Sequence, residues 1–144
     1  MNELDTRSAV VAEALSWART PYHHAARVKG AGVDCAQLLI GVFVDELALV
    51  DPVDHGDYPR DWMLHRDEER FLGLLTSRAR EIAHPLPGDV VLYKVGRCFA
   101  HAAIVIDWPE VIHACSRTGC VVRADGEQGW LADRARRFFS AIAS

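Results

Sequence analysis

Apolar positions divide the chain into a helical first half and an extended second half. Leu4, Val11, Leu15 and Ala18 recur at helical spacing and predict an amphipathic helix over residues 3–18, with Trp17 near its end. Thr20-Pro21 stops it, because proline disfavours helical geometry in the residue before it. Residues 20–33 read as a loop holding Tyr22, the pair His23-His24 and two glycines. Leu38, Leu39, Val42, Phe43 and Leu47 predict a second helix from about Asp34 to Leu49, with an apolar face broad enough to pack on a sheet. Val50 to Tyr58 is rich in turn formers, and the charged and apolar mixture from Trp62 to Arg80 predicts a third helix.

The period changes after the turn signal Pro85-Leu86-Pro87-Gly88-Asp89. Strands are predicted over 90–95, 100–107, 110–115 and 120–122, where β-branched residues cluster between short turns. A short helix over 130–137 and a last strand over 138–142 complete the expectation. Helices first and strands after give an α+β fold, with N-terminal helices packed on a central antiparallel sheet. The 144 residues suit a single domain.

Composition narrows the function. Half of the residues are hydrophobic (50%) and 25% are charged, as in ordinary globular domains. A net charge of −4 and a pI near 5.9 leave no electrostatic footprint for nucleic acid or anionic lipid, so neither is expected as a partner. No apolar run approaches the roughly 20 residues of a membrane span. Glu3 and Asp5 stand where a secretory signal carries basic residues, which predicts cytoplasmic synthesis without a signal peptide. Four cysteines are too few for a disulfide framework, and free thiols are expected.

The chemistry centres on Cys35, where a glycine-containing loop meets an apolar helix. Unpaired N–H groups and the positive helix end favour a thiolate there. Asp34 is the natural N-cap, the Cys35 N–H a natural oxyanion donor, and the Tyr22 hydroxyl a second donor or a substrate-positioning group. The base must come from elsewhere in the fold. His101 shares a strand face with Ala103 and Val105, and His113 lies on the next strand. An odd-length turn between those strands puts both histidines on one face; an even-length turn separates them unless a bulge intervenes. On one face, Cys35 attacks, His101 relays the proton and His113 orients His101. Trp62 either lines a substrate groove or plugs the core. Cys98, His101, His113, Cys115 and Cys120 could instead hold zinc, but no paired C-x-x-C spacing supports that, and no metal is expected.

Five blocks occur in order: Thr20-Pro21-Tyr22, Gly32-Val33-Asp34-Cys35, Pro87-Gly88-Asp89-Val90-Val91, His101-Ala102-Ala103-Ile104 and Val111-Ile112-His113-Ala114. Together they resemble the NlpC-type (p-sixty-like) cell-wall cysteine peptidases, a papain-like superfamily. His23-His24, Lys29-Gly30 and the Tyr58 to His65 segment further resemble its phage-tail and prophage branch. The resemblance implies hydrolysis of an amide in peptidoglycan stem peptides, typically between D-glutamate and a diamino acid, with no metal or organic cofactor. It makes Cys35 the nucleophile, His101 the base and His113 the third polar residue, with Tyr22 and Asp34 beside them; Gln37 and Trp62 complete the expected substrate-binding and oxyanion set. It also implies phage tail proteins as partners and carriage to the wall in a phage-like particle. Ala36 and Gln37 depart from the serine and glycine that usually follow the nucleophile, which bears on the substrate. Two rivals follow: an idle tail component that keeps the fold for binding, and a Cys–His acyltransferase or amidase on another substrate.

Overall fold

The computed structural model describes residues 2–52 and 70–143. Helix α1, Glu3–Ser16, opens on Asn2, whose side chain accepts from the Asp5 N–H. A two-stranded hairpin, β1 Arg27–Val28 with β2 Gly32–Val33, follows where the sequence predicts only loop. Two residues per strand are too few to carry a periodic signal. Helix α2, Cys35–Ile40, begins at the N-cap Asp34 and passes into a π-helical stretch, Gly41–Glu46, so the predicted helix forms but changes its hydrogen-bond spacing midway. Gly41 is required there, since a Cβ would lie 2.6 Å from the Trp17 ring, and its absence lets the end of α1 close on α2.

The third predicted helix is corrected. Helix α3 spans Arg70–Thr76, and Arg80–Ile82 is a strand, β3, whose partner lies at the far end of the chain. Trp62 and the start of that prediction fall outside the described residues. The strands β4 Val90–Val95, β5 Cys98–Asp107, β6 Glu110–Cys115 and β7 Cys120–Asp125 form the expected antiparallel meander. The predicted helix over 130–137 is also corrected: a single 3₁₀ turn, Gly129–Leu131, leads directly into β8, Arg136–Ser140. Leu131 is drawn into the core while β8 takes its ladder bonds from two neighbours, so pairing overrides local helical pattern.

The six-stranded sheet runs β3-β8-β4-β5-β6-β7, and every neighbouring pair is antiparallel. Its helix-covered face buries Val10, Ala14, Leu38 and Val42 against Leu92, Ile104 and Ile112. The opposite face buries Val91, Tyr93, Val105 and Val111 under Leu131. The fold is therefore α+β, with helices on one face of an antiparallel sheet, as the period change predicts.

Arg7 ties α1 to the start of β4. Its guanidinium donates to the Pro87 carbonyl at 3.0 Å and to Asp89 Oδ1 at 2.9 Å, and Asp89 Oδ2 accepts the Leu86 N–H at 2.8 Å. Both side chains are buried, so the pair is sustained by these backbone bonds and by Glu3, which accepts from Arg7 Nε at 2.9 Å, rather than by solvent.

Candidate active site

Asp34 sets the position of Cys35. Its two carboxylate oxygens accept the N–H groups of Gln37 and Ala25, each at 2.8 Å, so one buried side chain caps the helix and anchors the preceding loop. Tyr22 is fixed by its backbone, which donates to Gly119 and bridges to Val33, and its half-buried ring packs on the helix-side core. Gln37 is buried and accepts from Arg27, whose Nε also pairs with Asp45 at 2.7 Å. Gln37, one of the two residues after Cys35 singled out in the sequence, thus links α2 to the β1–β2 hairpin.

The histidines depend on strand register. Asp107 pairs with Glu110 across an even, two-residue turn, which alone would put His101 and His113 on opposite faces. One extra residue on β5, Ile106, interrupts the ladder, after which Val105 pairs with Val111 and Ile104 with Ile112. That bulge brings the two imidazoles together. His101 Nε2 lies 2.7 Å from His113 Nδ1, both rings buried and nearly perpendicular.

A second bulge, at Ala100, shifts the β4–β5 register just before His101. The β5–β6 pairing ends at Ile104, so the preceding edge of β5 is left without β6. The Cys35 thiol occupies this edge: Sγ donates to the Ala100 carbonyl at 3.6 Å and also meets the Ala102 N–H. Those two residues flank His101.

The electrostatics contradict the expected thiolate. Burial of the thiol, and then the Asp34 carboxylate, push the Cys35 pKa up to about 12, outweighing the opposing N–H groups of Ala102, Ala36 and Cys35. Burial, reinforced by His113 and Arg134, pushes His101 down to about 3, and burial pushes His113 down to about 4. These shifts favour a neutral thiol beside neutral imidazoles at rest. The helix start still aims N–H groups at the sulfur, but the desolvation and the Asp34 charge are larger.

Sequence periodicity did not reveal Trp130 at this site. Its ring stands edge-on to His101, with centroids 4.9 Å apart, and the Arg117 and Arg134 guanidiniums lie over it at 5.1 and 4.6 Å. Trp130 comes from the 3₁₀ turn, 29 positions after His101 and without a recognisable spacing. Among the described residues no three His, Cys, Asp or Glu side chains converge on a metal-sized site, and all four cysteines are free thiols.

Among solved structures, the chain is similar to the peptidoglycan hydrolase RipB of Mycobacterium tuberculosis, with a TM-score of 0.70 and 17% identity over 99% of this chain and 68% of that one. It is also similar to the NlpC/p60 domain of the peptidoglycan hydrolase SagA, with a TM-score of 0.63 and 18% identity over 96% of this chain and 98% of that domain. The fold is that of an NlpC/p60 domain. NlpC2 of Trichomonas vaginalis shares it at a TM-score of 0.72 and 13% identity, and this chain spans about half of that protein, 47% of its length. No family model and no curated protein matches the sequence. At such identities the likeness shows the fold, and the roles of single residues rest on the geometry above.

Proposed function

We propose that this chain is a cysteine peptidase that hydrolyses an amide bond in peptidoglycan stem peptides, the D-glutamyl–diamino acid link. One observation carries the reading: in an NlpC/p60 fold, the Cys35 thiol rests against the backbone on both sides of His101, whose far nitrogen is held by His113. RipB and SagA, which share the fold, are peptidoglycan hydrolases.

In the tautomer that carries the reaction, His101 Nε2–H donates across the 2.7 Å contact to His113 Nδ1, leaving the His101 Nδ1 lone pair to receive the thiol proton. As Cys35 Sγ attacks the carbonyl carbon, its proton passes to Nδ1 and the oxyanion accepts from the Cys35 N–H. Collapse breaks the C–N bond, and Nδ1–H protonates the leaving amine. Water then gives its proton to Nδ1, attacks the thioester, and releases the acid with the thiol restored. His113 keeps the acting nitrogen fixed throughout. Because thiol and imidazole both rest neutral, deprotonation accompanies attack rather than preceding it.

Purified sacculi test this reading. Wild type releases stem-peptide fragments, Cys35→Ala and His101→Ala release none, and His113→Ala loses at least tenfold in kcat. Equal release by Cys35→Ala overturns the assignment of the nucleophile, and no release by wild type favours an idle binding component. We also infer carriage in a phage-derived particle, which His23-His24 and Lys29-Gly30 support by resemblance alone; neighbouring genes encoding tail proteins are the expected finding.

A further inference from the structure

We propose that Trp130, Arg117 and Arg134 form a subsite beside His101 that binds a carboxylate of the substrate and selects anionic peptides over amidated ones. The inference rests on the peptidase reading and deepens it. Arg134 is held in place by the backbone: Nε donates to the Trp130 carbonyl at 2.9 Å and one terminal nitrogen to the Lys94 carbonyl at 3.1 Å. Arg117 projects from the exposed β6–β7 turn onto the same indole. Among the described residues neither guanidinium pairs with a carboxylate. Two cations over one aromatic ring concentrate positive charge there, which a bound anion would neutralise.

Two further features point to a ligand at this spot. Among the described residues the Trp130 indole N–H is buried with no hydrogen-bond partner, and a buried unpaired donor is costly until an acceptor reaches it. The ring also touches the proposed base, so a group bound there lies close to the scissile bond. In a γ-linked glutamyl peptide, the free α-carboxylate sits three carbons from the carbonyl under attack. Arg presents paired N–H donors that match such a carboxylate, and a carboxamide offers neither the charge nor a second acceptor.

The test compares L-Ala-γ-D-Glu-diaminopimelate with the same peptide carrying the α-carboxamide, using wild type, Arg117→Gln, Arg134→Gln and the double variant. Wild type prefers the carboxylate peptide by tenfold or more in kcat/KM. Each single variant raises KM for that peptide several-fold at little change in kcat, and the double variant removes the preference. Each variant loses less on the carboxamide peptide than on the carboxylate peptide. An equal loss on both peptides, or no loss on either, overturns the subsite. Calorimetric binding of both peptides to Cys35→Ala separates this inference from the peptidase reading. Arginine-dependent preference without turnover by wild type upholds the subsite and rejects the hydrolase; binding without preference rejects the subsite, as does no binding at all.

Discussion

The proposed nucleophile, Cys35, is held in reserve. A preformed thiolate reacts with alkylating agents at a rate that levels off above its pKa, whereas a thiol raised to about 12 gains reactive form with every increment of pH. The iodoacetamide rate at Cys35, followed by mass spectrometry, therefore climbs about tenfold per pH unit from pH 6 to 10; a plateau near neutrality would show a stabilised thiolate instead. Position and activation differ in how visible they are in the sequence. The loop–helix junction, the capping Asp34 and the ordered histidine blocks are local, and they name the residues. The sign of the pKa shift arises from what the folded chain packs around the sulfur and from a carboxylate already committed to two backbone N–H groups. Gln37 teaches the same lesson, since only the fold discloses its link to Arg27.

At the level of elements, the Arg7–Asp89 pair is the joint between α1 and the sheet. Asp89→Ala leaves the buried Arg7 guanidinium without its buried partner, with Glu3 and the Pro87 carbonyl remaining, and lowers stability by about 3 kcal/mol. The double variant Arg7→Met with Asp89→Leu recovers much of that loss, as urea denaturation of the single and double variants will show. Pro87-Gly88-Asp89 reads in the sequence as a turn, and Gly88 does adopt a φ of +91°. Its role as an anchor is invisible there, because Arg7 lies 82 positions away. The meander strands are legible for the opposite reason: each is six to ten residues long and pairs with its neighbour in sequence. β3 has three residues and a partner near the other terminus, so no local window contains the information that makes it a strand.

Across the whole molecule, two buried neutral histidines set an acid limit. Unfolded, each takes up a proton near pH 6.5; folded, His113 and His101 resist until about 4 and 3. Their contribution to stability is complete above pH 6.5 and is lost as pH falls toward those values, at about 1.4 kcal/mol per pH unit for each histidine. Urea midpoints should therefore drop steeply between pH 6.5 and 4, and the His101→Gln, His113→Gln double variant should flatten that drop. An unchanged slope would place the acid sensitivity in the carboxylates. Layer order was legible from the change of period at Pro85, but the insertion of β8 between β3 and β4 was not, because pairing order is decided by tertiary packing. The Ile106 bulge has a consequence for descent. It makes the β5–β6 connection a parity check on the chain: a one-residue insertion or deletion between Val105 and Val111 turns His113 away from His101, while a change of two preserves their meeting. Lineages that keep the chemistry can lengthen this hairpin only in even steps, or by removing the bulge at the same time.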